Sequence, residues 1–169
     1  MKKLITLSMI LVSACSITTA QSLIVKVNGS IHALGEFETS FIAAGAGVEG
    51  ALSYNFSVGM DAGYGTDNNF KFIHFTPTFK FYPFESLRGI YIGVGATFYS
   101  VMSKDKLPIG YPLDELVGAK ALVGGPEAFL GLQTIIDDEV SLGFQVGLGV
   151  FPDIEAPFIN ANFTVGISL

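Results

Sequence analysis

The sequence predicts an all-β protein, an eight-stranded antiparallel up-and-down transmembrane β-barrel. Half of the residues are hydrophobic and only 14% are charged, yet after residue 20 no apolar run approaches the length of a membrane helix. Apolar residues instead alternate strictly with other residues, most clearly in EVSLGFQVGLGVF at 139–151. The alternate face is rich in glycine and small polar residues, which favours a narrow barrel with lipid outside and a polar interior.

Eight segments carry this alternation, and turn-forming residues separate them. The predicted strands are 23–34, 40–52, 55–65, 70–84, 89–101, 122–135, 139–151 and 158–169. In the first strand, Asn28-Gly29 could instead form a tight turn. In the fourth, Pro77 lacks a backbone donor, so a bulge or a local disorder of the ladder is expected there.

The alternation also predicts which face meets lipid. A soluble barrel of the lipocalin kind would place the apolar face inside and expose the glycine face to water with few charges to solvate it. In lipid, an open sheet would leave unpaired backbone groups, so eight strands are expected to close into a barrel. Aromatic residues near strand ends are candidates for the two interfacial girdles; they are Phe56, Tyr64, Phe70, Phe84, Tyr99 and Phe158.

The first twenty residues are predicted to be a secretory signal peptide, leaving 21–169 as the barrel domain. Lys2 and Lys3 precede an apolar stretch, and Thr18-Thr19-Ala20 forms a small-residue cleavage site. An alternative is that Val12-Ser13-Ala14-Cys15 is a lipobox, with Cys15 lipidated. Cleavage after Ala20 would leave seven Lys and Arg against 15 Asp and Glu. This acidic balance argues against nucleic acid as a partner.

The chain resembles the small eight-stranded outer-membrane barrel proteins of Gram-negative bacteria, the OmpA- and OmpX-like type. The resemblance rests on the signal ending before Gln21, the glycine-alternating strands and the final strand Asn162–Leu169. It implies a monomer in the bacterial outer membrane, surrounded by outer-membrane lipid and recognised by the barrel-assembly machinery through its C-terminal strand. Leu169 departs from the family, which usually ends in an aromatic residue.

Alternation places five charged residues inside the barrel: Lys26, Glu49, Asp61, Lys80 and Glu127. Charges in a narrow lumen must be paired and hydrogen-bonded or else become neutral. We expect a ladder such as Glu49–Lys80–Glu127, which would plug the lumen and fix strand register. The alternative is a gated pore or a proton-linked pathway through the same ladder.

Few other residues suggest chemistry. His74-Phe75-Thr76 resembles the His-x-Ser pair of the outer-membrane lipid A deacylases, but threonine replaces serine and both side chains are predicted to point inward. His32 is expected to be solvated near a loop. The acidic turn 137–139 could bind a divalent cation, although a solvated turn is the favoured interpretation. No cofactor motif, zinc pattern or catalytic Ser-His-Asp set occurs in the sequence.

The longest irregular segment, Ser103–Lys120, is the predicted external contact loop, because function concentrates on long loops. Its candidate contact residues are Asp105, Lys106, Tyr111, Asp114 and Glu115. The predicted function is therefore a non-enzymatic barrel with a plugged lumen and a structural or surface-interaction role. The alternatives are a narrow channel for small solutes, a periplasmic lipid-binding barrel and, last, an enzyme acting on lipid A.

Overall fold

The computed structural model describes residues 22–34, 39–66, 70–103, 121–152 and 156–169. The predicted signal peptide and the lipobox alternative at Cys15 lie outside this range. Eight strands follow one another: β1 (Leu23–Leu34), β2 (Thr39–Ala51), β3 (Phe56–Thr66), β4 (Phe70–Phe81), β5 (Gly89–Ser103), β6 (Ala121–Ile136), β7 (Val140–Phe151) and β8 (Ala156–Ser168). Within the described ranges, no helix is long and apolar enough to cross a membrane.

The strands form a closed barrel in chain order, and β8 pairs with β1. Every neighbouring pair is antiparallel. The paired residues can be followed from each strand to the next around the barrel. Starting at Ile24 in β1, this route passes Glu49 in β2 and Glu127 in β6 and returns to β1 at a different residue, Leu34. The strands are therefore staggered, as closure of a tilted sheet requires. The predicted fold class is confirmed.

The structure corrects several predicted boundaries. Asn28 and Gly29 do not form a turn, because both pair with β2 and β8 inside an unbroken strand. β4 ends at Phe81, before the turn that contains Pro83. β8 begins at Ala156 and includes Pro157, which pairs with β7, whereas the pairing with β1 begins only at Phe158.

Pro77 interrupts one ladder without adding a residue to it. Pairing of β4 with β5 is described at Phe75↔Phe98 and resumes at Thr78↔Gly95 in the same register. No bulge is therefore present, and the expected local disorder of the ladder is what the structure contains. The Oγ1 atoms of Thr76 and Thr97 lie 3.0 Å apart across this gap, so a side-chain hydrogen bond joins the two strands where the backbone pairing is missing.

The outer surface of the barrel is apolar and the interior is largely polar. Outward side chains such as Val94, Phe144 and Leu148 are 57%, 52% and 61% exposed. The buried polar residues on the inner face include Lys26, Glu49, Ser57, Asp61, Lys80, Thr97, Glu127 and Asn160. A soluble lipid-binding barrel needs the reverse arrangement, with an apolar lining, so the structure does not support that alternative.

The glycines of the inner face provide space for large side chains on the neighbouring strand. Gly45 is paired with Asn28, and a Cβ atom on Gly45 would lie 2.7 Å from Asn28 Oδ1. The same relationship holds for Gly147 and Asn160, where the distance would be 2.6 Å. The same contact between an added Cβ atom and the paired side chain occurs in further pairs: Gly59–Thr78, Gly63–His74, Gly93–Phe129 and Gly131–Tyr91. The glycine-rich face is thus what allows so narrow a barrel to be filled.

The two ends of the barrel differ. At one end, here called the turn end, residues 52–55, 82–88 and 137–139 connect the strands beside Ser22 and Leu169. The start of β1 is joined there to Leu169, since Leu169 N donates to Leu23 O at 2.7 Å and Leu23 N donates to Leu169 O at 3.3 Å. The connections at the opposite end, here called the loop end, lie outside the described residues.

Candidate functional site: the barrel lumen

A cluster of four charged residues, Lys26, Glu49, Asp61 and Lys80, crosses the lumen toward the turn end. Glu49 is its centre and is fully buried. Glu49 Oε2 lies 2.5 Å from Lys80 Nζ and 3.4 Å from Lys26 Nζ. This charge cluster joins strands β1, β2, β3 and β4, so it links half of the barrel wall through the interior.

Neutral donors complete the coordination of Glu49. Its Oε1 accepts hydrogen bonds from Ser57 Oγ at 2.7 Å and from the Tyr82 hydroxyl at 2.8 Å. Both oxygens of this buried carboxylate are therefore occupied, which is the condition for keeping a charge out of water. Lys80 Nζ also lies 4.4 Å from the centroid of the Tyr91 ring, within the range of a cation–π interaction.

Asp61 extends the cluster toward the middle of the lumen. Its Oδ2 lies 3.3 Å from Lys26 Nζ, and its Oδ1 accepts a hydrogen bond from Asn28 Nδ2 at 3.0 Å. Lys26 is consequently shared between Asp61 and Glu49. The side chains of the charge cluster are at most 9% exposed, so these are buried ion pairs.

Glu127 does not join the charge cluster, which is where the structure differs from the expected Glu49–Lys80–Glu127 ladder. Lys80 pairs with Glu49, and among the described residues Glu127 makes no ion pair. Its Oε2 accepts a hydrogen bond from Asn160 Nδ2 at 2.6 Å instead. Alternation identified the inward face correctly, but side-chain reach across the lumen decides which inward charges meet.

An aromatic plug closes the lumen toward the loop end. It consists of Phe41, Phe72, Tyr99, Phe151 and Phe158, all of them buried and in one apolar cluster. The Phe41 and Phe72 ring centroids are 4.0 Å apart, and those of Phe151 and Phe158 are 4.4 Å apart. Tyr99 and Phe158 therefore belong to the lumen and not to an interfacial girdle, as their inward parity would have indicated.

His32 is buried at the edge of this plug, so the expectation of a solvated histidine is wrong. It is only 3% exposed. Its Nδ1 lies 2.7 Å from the Tyr99 hydroxyl, and its Nε2 lies 2.8 Å from Ser30 Oγ. Its ring also stacks on Phe41 at 5.3 Å between centroids. The inward parity shared with Lys26 and Asn28 was the sequence signal for this position.

The turn between β4 and β5 covers the turn end. Leu87 adopts a φ of 67° yet is buried beside Ile24 and Ala51. Gln133 Nε2 donates to the Leu87 carbonyl oxygen at 3.1 Å. Outside the lumen, the Arg88 guanidinium forms an exposed ion pair with the Asp138 carboxylate. This contact joins the 82–88 turn to the 137–139 turn at the surface.

The other residues predicted to carry chemistry or binding lie in the lumen, at the turn end or outside the described ranges. His74 and Thr76 point into the lumen and are 4% and 8% exposed. Asp137, Asp138 and Glu139 are exposed. In the described part of the chain, no group of three or more His, Cys, Asp or Glu side chains is placed to hold a metal ion. The loop candidates Asp105, Lys106, Tyr111, Asp114 and Glu115 lie outside the described residues.

Solved transmembrane barrels share this architecture. The N-terminal barrel domain of Pseudomonas aeruginosa OprF matches with a TM-score of 0.58 at 9% identity, covering 86% of this chain and 97% of that one. Ail, the attachment invasion locus protein of Yersinia pestis, matches with a TM-score of 0.56 at 8% identity over 88% of this chain and 97% of Ail. A de novo designed transmembrane β-barrel matches at 0.50 and 13% identity over 89% and 98%.

No protein-family model matches the sequence, and no curated protein matches it. The fold is thus that of the small eight-stranded barrels of bacterial outer membranes. Because a designed barrel shares this fold, the architecture alone specifies no activity.

Proposed function

We propose that this protein is a non-enzymatic barrel of the bacterial outer membrane that does not conduct solutes and has a structural or surface-interaction role. The observation that carries the proposal is the double closure of the lumen. The charge cluster around Glu49 fills the lumen toward the turn end, and the aromatic plug around Tyr99 fills it toward the loop end. A solute would have to displace both, and each is held by packed or hydrogen-bonded side chains.

The outer-membrane location is supported by the fold, because OprF and Ail are barrels of that membrane type. We further propose that the barrel-assembly machinery recognises β8. Phe163, Val165 and Ile167 are exposed on its outer side at alternate positions up to the chain end. A closed barrel leaves no strand edge open for pairing with a second copy, which favours a monomer.

The loop Ser103–Lys120 remains the proposed contact site. It carries three acidic residues, Asp105, Asp114 and Glu115, and an equal number of lysines, together with apolar residues around Tyr111. Ail was solved with a heparin analogue. A loop with equal numbers of acidic and basic residues, on a chain with a net negative charge, is poorly suited to binding a polyanion. We therefore propose a protein surface as its partner.

A complementation experiment separates the structural role from the surface role. A strain without the gene would be tested for sensitivity to detergent and for adhesion, then supplied with the wild type or with a variant whose residues 104–119 are replaced by a short Gly-Ser linker. Rescue of detergent resistance by both proteins supports a structural role. Loss of adhesion with the shortened loop alone supports the loop as contact site. Failure of the wild type to restore either property would contradict the proposal.

Planar-bilayer recording tests the channel alternative. Purified wild-type protein should give no steady conductance, because the lumen is closed at two levels. Conductance that changes in Glu49→Gln or Lys80→Met would establish a pore through the charge cluster. A Tyr99→Ala variant is the matched control, because it removes a side chain from the aromatic plug and leaves the charge cluster unchanged.

The positions of His74 and Thr76 disfavour the alternative of an enzyme that acts on lipid A. Thr76 Oγ1 is hydrogen-bonded to Thr97 inside the lumen, and His74 is buried beside it, away from the lipid-facing surface. Mass spectrometry of lipid A from cells that express the wild type or His74→Ala should show the same composition. A product that forms only with the wild type would establish the enzyme.

A further inference from the structure

A small enclosed chamber lies between the charge cluster and the aromatic plug. Its lining includes Asp61, His74, Thr78, Glu127, Asn160 and Asn162. The cavity measures about 20 Å³, which is room for about one particle of the size of a water molecule. The chamber therefore suits a single small ligand and excludes an organic one.

Some of the polar atoms around this chamber lack partners. Glu127 Oε1, Asn160 Oδ1, Asn162 Oδ1 and Thr78 Oγ1 are buried and have no hydrogen-bond partner among the described residues. The side chains of Glu127, Asn160 and Thr78 are 4%, 5% and 5% exposed. Buried acceptors without a partner are costly and rare in folded proteins. Both ring nitrogens of His74, which also lines the chamber, are buried without partners as well. Such a concentration at one cavity points to a small ligand that these polar atoms can bind.

Two of these side chains, Glu127 and Asn160, converge through their polar atoms. A Cβ atom on Gly95 would lie 3.2 Å from Glu127 Oε1 and 3.4 Å from Thr78 Cγ2, so both side chains occupy the space above this glycine. Asn160 is joined to the other Glu127 oxygen by its 2.6 Å hydrogen bond. Gly95 therefore leaves room for the Glu127 carboxylate of β6, which Asn160 of β8 reaches, whereas the Thr78 hydroxyl points the other way and would lie 2.8 Å from a Cβ atom on Gly59.

The charges of the lumen are unequal. Three buried carboxylates, Glu49, Asp61 and Glu127, face two buried ammonium groups, Lys26 and Lys80. Both lysines are engaged by Glu49 and Asp61. Glu127 is left with two neutral partners, the Thr97 hydroxyl and the Asn160 amide, and neither compensates a buried negative charge. Among the described residues, an ionised Glu127 therefore lacks a positively charged partner, and it lines the chamber.

We propose that the chamber binds one monovalent metal cation of the Na⁺ and K⁺ class. Glu127 Oε1, Asn160 Oδ1 and Asn162 Oδ1 are its ligands. A cation supplies the missing charge and occupies the unpartnered oxygens at the same time. A divalent ion is disfavoured because the described residues contain no group of three or more His, Cys, Asp or Glu side chains placed to hold a metal. Hard alkali cations suit carboxylate, amide and hydroxyl oxygens.

Thermal unfolding in different salts tests this site. The protein, expressed from the full chain and purified in detergent, would be unfolded in NaCl, KCl and tetramethylammonium chloride of equal concentration, with gel mobility as the readout. A ligand that binds only the folded state raises its stability. The midpoint should shift to higher temperature in NaCl or KCl relative to tetramethylammonium, which is too large for the chamber. Equal midpoints in all three salts would overturn the proposal.

Variants localise the effect. Glu127→Gln and Asn162→Leu should each reduce the difference between the salts, whereas Glu139→Gln at the exposed turn should keep it. A difference that persists unchanged in Glu127→Gln would place the cation elsewhere and overturn the assignment. Crystals grown in a rubidium or thallium salt give a direct readout that does not depend on the variants folding. An anomalous peak in the chamber supports the site, whereas an ordinary water there overturns it.

Discussion

Lys80 and Glu49 face each other across the lumen from strands that are not neighbours, with Lys80 Nζ 2.5 Å from Glu49 Oε2. The intervening strand β3 contributes Ser57, which donates to the other oxygen of the same carboxylate. The Glu49 carboxylate thereby links three consecutive strands, β2, β3 and β4. The pair is inaccessible to water, so its geometry cannot relax by solvation when one partner is removed.

Glu49→Gln should destabilise the barrel strongly. The amide keeps the shape of the side chain but leaves Lys26 and Lys80 without their shared charge partner, and breaking a buried ion pair costs about 3–5 kcal/mol. Urea unfolding in lipid vesicles measures the change. Glu139→Gln, on the exposed turn, is the control and should be near neutral. A Glu49→Gln barrel as stable as wild type would show that the charge cluster contributes little.

Gly47→Ala should destabilise the barrel while Gly29→Ala should not. A Cβ atom on Gly47 would contact the Asp61 carboxylate and lie 2.7 Å from the Met60 carbonyl oxygen, which belongs to the backbone. Overpacking of this kind costs about 1–3 kcal/mol. Gly29 faces outward, and nothing lies within 4 Å of the added atom. Equal midpoints for the two variants in the same urea titration would contradict the role of glycine as space for neighbouring side chains.

Leu87→Ala should cost more stability than Arg88→Ala, although the exposed ion pair is the more conspicuous contact. Leu87 is 2% exposed and fills the turn end, and truncating a buried leucine costs about 2–5 kcal/mol. The Arg88 and Asp138 side chains are 42% and 83% exposed, and such surface pairs contribute about 0–1 kcal/mol. Midpoints of thermal gel-shift curves would rank the two variants. The opposite order would show that the ion pair holds the turn.

Val146→Lys should destabilise the barrel in lipid more than Val140→Lys. Both side chains are exposed on the outer face of β7, at 45% and 41%. Val146 lies midway along the strand and Val140 begins it at the turn end. A lysine at the bilayer midplane costs about 2–4 kcal/mol, whereas one near the interface costs about 0–1 kcal/mol. Refolding yields in vesicles would report the difference, and equal yields would contradict the assigned depth.

Period-two alternation was sufficient to predict the strand count, the barrel class and the inward side of Lys26, Glu49 and Lys80. It could not predict that Glu127 bonds to Asn160, because partners across a lumen depend on stagger and on side-chain length. His32 and Tyr99 were misplaced because proximity to a loop was given more weight than parity. Pro157 was left outside its strand because a proline is usually found where a ladder ends.

Fluorescence of a single introduced tryptophan tests the central claim, that the apolar face meets lipid, most directly. The chain contains no tryptophan, so Phe144→Trp and Phe129→Trp each introduce the only tryptophan, which can be excited selectively over tyrosine. Phe144 is 52% exposed on the outer face, and Phe129 is 5% exposed in the lumen. In vesicles of brominated lipid, we expect strong quenching of Phe144→Trp and weak quenching of Phe129→Trp. Quenching of the lumen position alone, or of neither, would contradict the assignment of faces.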